Sequence, residues 1–169
     1  MKLYFSGFCL QNEQELFSSY LIQNDFTVSG FSYGAQKALE YVLNTNNRVD
    51  TLQLFSPAFF NDKDKKYIRL QLMFFKKDPK QYCDNFLKNC VYSTDITLDK
   101  YFYLGTYEQL EELLTYTWDS TKLQEVINKG VQIEVYLGSE DKIIDALSAK
   151  KFFLPYSTTY FIKNKGHIL

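Results

Sequence analysis

The chain has 169 residues, of which 46% are hydrophobic and 18% aromatic, which is enough for one domain with a substantial core and excludes a disordered chain. Its net charge of −1 gives no overall field that would favour nucleic acid as a partner. We find no N-terminal signal pattern and no apolar run of membrane-spanning length, and we therefore expect a cytoplasmic protein.

Predicted strands and helices alternate along the chain. The predicted strands span residues 2–6, 25–29, 51–55, 131–137 and 158–162. The predicted helices span residues 13–23, 33–44, 107–117, 120–129 and 143–150, and residues 61–106 have helical periodicity with many charges. Alternating strands and helices predict a parallel sheet with right-handed crossovers.

The strands alternate between apolar and polar residues. Parallel strands that are covered on both faces are normally continuous hydrophobic runs. The first, third and fourth strands instead place a polar or tyrosine residue at every second position. We therefore expect helices mainly on one face and a second face that is partly solvated or paired with a second copy, carrying Tyr4, Gln53, Glu134 and Tyr136.

Cysteine usage agrees with a cytoplasmic protein. Cys9, Cys83 and Cys90 are odd in number and lack the spacing of a disulfide framework, so we expect reduced thiols. One histidine and three scattered cysteines do not make a four-ligand zinc site. The sequence therefore predicts no metal site, and it indicates no cofactor.

The pentapeptide Gly30-Phe31-Ser32-Tyr33-Gly34 is the most informative motif. It lies between a predicted strand and a predicted helix, which is the arrangement of the nucleophile elbow of serine hydrolases. The turn projects the Ser32 hydroxyl, and the flanking glycines leave room where a Cβ would collide. The alternative is a glycine-rich turn that contains a serine by chance.

A serine nucleophile needs a base, and His167 is the only histidine. Asp141, in the loop after the fourth strand, is our preferred acid, with Glu140 as the alternative. Asp141 would orient the imidazole and stabilise the imidazolium. Both assignments have plainer alternatives: Asp141 could be a helix N-cap, and His167 could be a surface residue near the chain end.

Two backbone N–H groups are predicted to stabilise the oxyanion. The residue after the nucleophile, Tyr33, supplies one of them. The loop after the first strand supplies the other, and Phe8 in Ser6-Gly7-Phe8 is our choice. The alternative for Phe8 is an ordinary strand-to-helix loop.

The elbow, Gly138-x-x-Asp141 and Gly166-His167 together resemble the α/β-hydrolases. Two further segments, Ser56-Pro57-Ala58-Phe59-Phe60 and Tyr82…Phe86-Leu87-Lys88, are similar to the pimeloyl-[acyl-carrier protein] methyl ester esterases of biotin synthesis. The resemblance implies a trimmed α/β-hydrolase fold over residues 1–169 with about five parallel strands and a helical cap insertion at about 58–106. It also implies nucleophile Ser32, acid Asp141, base His167 and oxyanion donors Phe8 and Tyr33.

The chain departs from that family in two ways. Ser6-Gly7 stands where the family usually has His-Gly before the oxyanion residue. The family's strand–helix unit between the oxyanion loop and the elbow strand has no counterpart, and neither do its first strands and its final helix. The loss of helices from one face fits the alternating strands.

The inserted segment supports an acidic carrier protein as partner. Residues 61–88 hold eight basic and four acidic side chains and so carry +4, while the whole chain carries −1. A basic cap would steer an acidic acyl carrier protein, through Lys65, Lys66, Arg69, Lys76 and Lys77. An apolar slot for the acyl chain would be lined by Phe59, Tyr67, Leu70, Phe74 and Phe86. The alternatives are an ordinary solvated helical face and a membrane-surface helix.

The function that the resemblance implies is hydrolysis of the methyl ester of pimeloyl-[acyl-carrier protein] through an acyl-enzyme. An acyl thioesterase or a small-ester carboxylesterase would use the same scaffold, since a fold does not determine its substrate. A non-catalytic acyl-carrier or lipid-binding protein is the alternative outside enzymes. A monomer and a homodimer formed through the open sheet face are both compatible with the sequence.

Overall fold

A computed structural model of the chain describes residues 3–169. Five parallel strands form one sheet in the order β1-β2-β3-β4-β5. Their bounds are β1 Leu3–Phe5, β2 Thr27–Phe31, β3 Thr51–Phe55, β4 Gln132–Gly138 and β5 Thr158–Ile162. The five predicted strands are therefore present, and the predicted start of the first at Lys2 lies outside the described residues.

Six α-helices accompany the strands among residues 3–169. They are α1 Tyr33–Asn44, α2 Lys65–Lys77, α3 Pro79–Cys90, α4 Tyr107–Thr115, α5 Ser120–Asn128 and α6 Ala146–Phe153. The segment with helical periodicity resolves into α2 and α3, while residues 91–106 contain only a short 3₁₀ helix, Asp99–Tyr101. Side-chain N-caps begin most of these helices, as when Asp64 accepts a hydrogen bond from Tyr67 N–H.

The strand order explains why the helices lie on one face. Each strand is followed in space by the next strand in sequence, so all crossovers run in the same direction. Right-handed crossovers that run in one direction place their helices on the same side of the sheet. The connection between β1 and β2 differs, because it crosses the other face, where Phe17 packs on Phe31 and Phe55. The predicted fold, a five-stranded parallel sheet with helices mainly on one face, is confirmed.

The second face is more covered than the sequence indicated. Gln53, Glu134 and Tyr136 are buried there, and Tyr4 is half-buried. The expectation of a partly solvated face is therefore wrong for three of its four residues. The predicted helix over residues 13–23 is also wrong: a 3₁₀ helix, Glu13–Phe17, and an irregular loop cover the sheet instead.

Phe17 anchors this covering segment. Its side chain is completely buried, and its ring lies 4.9 Å from the ring of Phe31 and 4.8 Å from the ring of Phe55. Gln53 holds the loop that follows, because its side chain accepts from Ile22 N–H at 3.0 Å and donates to the Tyr20 carbonyl at 3.0 Å. The side chain of a sheet residue thus satisfies backbone groups that a helix would have paired internally.

We expect Phe17→Ala to lower the free energy of unfolding by about 3–5 kcal/mol, since a buried phenylalanine leaves a cavity that the sheet cannot fill. Urea denaturation monitored by circular dichroism measures this change. Ser18→Ala, at an exposed neighbouring position, is the matched control and should change stability by less than about 0.5 kcal/mol. A loss below about 1 kcal/mol in Phe17→Ala would show that the segment does not pack on the sheet as described.

The cysteines differ from the expectation of three reduced thiols. A disulfide joins Cys9, beside the first-strand loop, to Cys83 of α3, with the two Cα atoms 6.1 Å apart. Cys90 is the free cysteine among the described residues, and it is buried. Burial raises the pKa of its thiol well above the ordinary value, and the negative charge of Asp141 adds to the effect. The sequence spacing gave no sign of the 9–83 pairing because it depends on the tertiary position of α3.

Candidate active site

Ser32 lies in a strained turn between β2 and α1. Its φ of 53° and ψ of −113° are unfavourable for a residue with a Cβ, and such strain is concentrated at functional sites. The turn depends on two close backbone approaches. A Cβ on Gly30 would lie 2.2 Å from the Gly34 carbonyl oxygen, and one on Gly34 would lie 2.0 Å from the Phe5 carbonyl oxygen. The glycines of the motif are therefore sterically required here.

The structure brings Ser32, His167 and Asp141 together. His167 Nε2 lies 2.8 Å from Ser32 Oγ, and His167 Nδ1 lies 2.6 Å from Asp141 Oδ2. All three side chains are fully buried. With its proton on Nδ1, the imidazole donates to the carboxylate and accepts from the Ser32 hydroxyl, which is the arrangement a general base requires.

Asp141 has two tasks in the structure. Its Oδ2 contacts His167, while its Oδ1 accepts from the N–H groups of Ile143 and Ile144 at 2.7 and 3.1 Å. Asp141 therefore contacts the imidazole as expected of the acid, but it is not a helix N-cap, since the two N–H groups that it accepts from belong to a loop. The predicted helix from residue 143 instead begins at Ala146, because Asp145 caps it separately. Glu140, the alternative acid, accepts from the Ser93 hydroxyl and does not contact His167.

The loop that carries His167 is held from two sides. Ser56, directly after β3, donates from its hydroxyl to the His167 carbonyl at 2.7 Å and is completely buried. The Phe31 ring lies 5.0 Å from the imidazole. His167 is therefore an ordered core residue and not a surface histidine. We did not assign Ser56 from the sequence, although its position at the end of a strand beside the elbow strand could have indicated it.

Phe8 and Tyr33 have the backbone positions expected of oxyanion donors. Tyr33 is the first residue of α1, so its N–H has no intrahelical acceptor. In the loop after β1, the Leu10 and Gln11 N–H groups are bonded to carbonyls, whereas the Phe8 N–H has no acceptor within residues 3–169. Phe8 is buried, and its ring packs edge-on against Phe86 of α3. Neither N–H group thus has a hydrogen-bond acceptor among the described residues.

A half-open cavity lies between α2 and α3 of the cap and α4. Its volume is about 560 Å³, and Tyr67, Phe74 and Phe86 are among its lining residues, as predicted for an acyl slot. The other two predicted lining residues lie elsewhere. Leu70 is 41% exposed on α2, and Phe59 is buried against the rings of Phe152 and Phe153. Gln71, Asn85 and Asn89 add amide groups to the wall, which the sequence did not single out.

The predicted carrier-binding residues divide into three groups. Lys65, Lys66 and Arg69 are exposed on α2. Lys76 lies over the ring of Tyr107, 4.5 Å from its centroid, and Lys77 lines the cap cavity. All five side chains are exposed, so each is accessible to a partner.

Comparison with known proteins gives matches in structure only. No protein-family model matches the sequence, and a search of curated proteins also finds no match. Among solved structures, MenH from S. aureus superposes with a TM-score of 0.61 at 14% identity, covering 98% of this chain and 85% of that one. This chain has the α/β-hydrolase fold.

Two further structural neighbours are longer than this chain. A bromoperoxidase from Bacillus anthracis superposes with a TM-score of 0.63 at 16% identity, and the superposition covers 91% of this chain and 64% of the bromoperoxidase. A carboxylesterase from the thaumarchaeon Nitrososphaera gargenis superposes with a TM-score of 0.56 at 16% identity, and the superposition covers 83% of this chain and 57% of the carboxylesterase. The chain thus spans little more than half of that carboxylesterase.

Within residues 3–169, every helix is too short or too polar to cross a membrane. Three of the structural neighbours are named as esterases or carboxylesterases, and this chain places its hydrogen-bonded serine, histidine and aspartate in the same fold.

Proposed function

We propose that this chain is a cytoplasmic serine esterase that hydrolyses the methyl ester of pimeloyl-[acyl-carrier protein] in biotin synthesis. The observation that carries the esterase part is the hydrogen-bonded chain from Ser32 through His167 to Asp141. The substrate and the carrier protein are inferred from the cap, whose cavity and basic helix suit an acyl chain and an acidic partner.

The reaction follows from the geometry of the site. Ser32 Oγ attacks the ester carbonyl while His167 Nε2 takes its proton, and the negative oxygen of the tetrahedral intermediate accepts from the Phe8 and Tyr33 N–H groups. The intermediate collapses as His167 returns the proton to the leaving methoxy oxygen, which releases methanol and leaves an acyl-enzyme. Water, deprotonated by His167, then attacks the acyl-enzyme and releases the free carboxylate and Ser32.

The cap cavity supports an acyl substrate. Aromatic rings supply apolar wall for methylene groups, and the amides of Gln71, Asn85 and Asn89 supply partners for carbonyl and amide groups along an extended chain. Ser32 is fully buried and is not part of the cavity wall. The acyl chain therefore reaches the nucleophile only after cap residues shift, as lids of enzymes do on substrate binding.

The exposed face of α2 supports a carrier protein as partner. Lys65, Lys66 and Arg69 lie on the same helix as Leu70 and Met73, which are 41% and 56% exposed. Positive charges around exposed apolar side chains suit an acidic protein surface, because charges steer the encounter and apolar contacts hold the complex.

The test is a comparison of kcat/KM for three substrates: the methyl ester of pimeloyl-carrier protein, a pimeloyl thioester without the methyl ester, and dimethyl pimelate. We expect the carrier-bound methyl ester to exceed dimethyl pimelate by at least about tenfold, since carrier contacts add binding energy. Preferred cleavage of the thioester would replace the proposal with an acyl thioesterase. Equal rates on the two methyl esters would indicate a small-ester carboxylesterase.

A further inference from the structure

A buried carboxyl group lies under the loop that carries Phe8. Glu13 opens the 3₁₀ helix and is completely buried. Its Oε1 accepts from the Gly7 N–H at 2.8 Å and from the Tyr4 hydroxyl at 3.1 Å. Its Oε2 is buried and has no hydrogen-bond partner among the described residues. Burial of a carboxyl group with one unpaired oxygen costs free energy of folding. The contact between Glu13 and Gly7 therefore calls for an explanation.

Gly7 is held on three sides. Its N–H donates to Glu13, and its carbonyl accepts from the Leu10 N–H at 3.2 Å. The Phe31 ring packs so closely that a Cβ on Gly7 would lie 2.7 Å from Cδ1 of that ring. Because Phe31 precedes Ser32, the loop is positioned directly against the elbow strand.

Fixing Gly7 also fixes the Phe8 N–H. The Gly7 carbonyl and the Phe8 N–H belong to one planar trans peptide and point in opposite directions. Since the carbonyl is directed to the Leu10 N–H, the Phe8 N–H is directed to the other side of the peptide. The Glu13 contact holds the preceding peptide, so rotation of the loop would break both hydrogen bonds.

We propose that Glu13 is a positioning residue that holds the oxyanion loop in the geometry that presents the Phe8 N–H to the tetrahedral intermediate. This role rests on the proposed esterase function. Donors that are fixed before reaction stabilise a developing oxyanion without reorganisation at the moment of reaction. Glu13 touches neither the substrate nor the reacting atoms and acts through Gly7.

Two variants separate the hydrogen bond from the charge. Glu13→Asp keeps the charge but is one methylene too short to keep both contacts, whereas Glu13→Gln keeps an oxygen that can accept from Gly7. We expect Glu13→Asp to lower kcat for dimethyl pimelate by about 10- to 100-fold with KM within about twofold, since loss of a whole oxyanion donor costs about 10²–10³. Glu13→Gln should stay within about threefold of wild type. Gln14→Ala, exposed on the same 3₁₀ helix, is the control and should be unchanged.

A transition-state analogue distinguishes positioning from general support of the fold. A trifluoromethyl ketone with the same acyl chain adds to Ser32 and forms an oxyanion, whereas monomethyl pimelate binds without one. In Glu13→Asp, the affinity for the ketone should fall in parallel with kcat/KM, while the affinity for monomethyl pimelate should not change. If Glu13→Asp does not fold, Tyr4→Phe removes one of the two contacts of Glu13 and should lower kcat by about threefold or more.

Three results would overturn the role of Glu13. The first is a wild-type kcat per folded molecule in Glu13→Asp, or in Tyr4→Phe if Glu13→Asp does not fold. The others are an equal loss of kcat in Glu13→Asp and Glu13→Gln, and an unchanged affinity of Glu13→Asp for the ketone. A wild-type protein that cleaves none of the three substrates would instead overturn the esterase proposal and the role of Glu13 with it. An active wild type with an equally active Glu13→Asp variant would overturn only the role of Glu13.

Discussion

Replacement of Ser32 or His167 by alanine should lower kcat by at least about 10⁴-fold, because nucleophile and base act as one unit. For the same reason the double variant should lose no more than either single variant. Asp141→Asn should lower kcat by about 10⁴-fold, as the corresponding change does in serine proteases, while its Oδ1 can still accept from the Ile143 and Ile144 N–H groups. Single-turnover and steady-state kinetics on the best of the three substrates measure these losses.

Two controls accompany these variants: a substitution at an exposed position outside the site, and a measurement of folding. Ser18→Ala changes an exposed serine outside the site and should keep wild-type turnover. Circular dichroism should show native secondary structure in each triad variant, which separates a loss of catalysis from a loss of folding. Retention of a tenth or more of wild-type turnover by a folded Ser32→Ala protein would refute the assignment of the nucleophile.

Reversal of charge on α2 should lower kcat/KM for the carrier-bound ester by about tenfold or more and leave dimethyl pimelate nearly unaffected. The variant is Lys65→Glu, Lys66→Glu and Arg69→Glu combined, all at exposed positions. Exposed charges control the encounter of two proteins much more than the chemistry that follows. The wild-type advantage for the carrier substrate should also shrink as salt rises, since the Debye length falls from about 10 Å at 0.1 M to about 3 Å at 1 M.

Charge reversal on another face separates the effect of a specific surface from that of net charge. Lys151→Glu combined with Lys163→Glu changes two exposed lysines, on α6 and after β5, and should change the carrier reaction by less than about threefold. Equal losses on carrier-bound and free esters in the α2 variant would mean that the cap itself is damaged. No loss on either substrate would remove α2 as the docking surface.

The elbow was predictable because its requirements are local. Strand, turn and helix lie within residues 27–44, and the two glycines are required by backbone contacts that any such turn makes. The sequence also placed the acid and the base in loops after the last two strands. Parallel strands direct those loops to the same edge of the sheet, so their meeting with Ser32 follows from topology.

The errors arose where distant residues decide the local structure. Residues 13–23 have helix-like periodicity, but Gln53 pairs with the backbone at Tyr20 and Ile22, and Phe17 is drawn onto the sheet. Gln53 lies some thirty residues away in sequence, and no local propensity encodes its contacts. Glu13 and Ser56 escaped notice for the same reason, since each acts on a backbone group of another loop.

The cap was predicted in composition but not in packing. Its helices and its charge follow from residues 61–88, whereas the side chains that line the cavity depend on how α2, α3 and α4 pack together. Leu70 and Phe74 are one helical turn apart, yet only Phe74 lines the cavity. The orientation of a helix about its own axis is a tertiary property, because it depends on the neighbouring elements against which the helix packs.

In the proposed reaction Ser32 is the nucleophile that forms an acyl-enzyme. The most direct test is mass spectrometry of the protein quenched in acid during turnover of dimethyl pimelate, followed by peptide mapping. We predict a methyl-pimeloyl group on Ser32, absent from Ser32→Ala, which accumulates further in Asp141→Asn if deacylation is slowed more than acylation. Steady turnover in the wild type with no acyl group on Ser32, or with the group on another residue, would show that Ser32 is not the nucleophile.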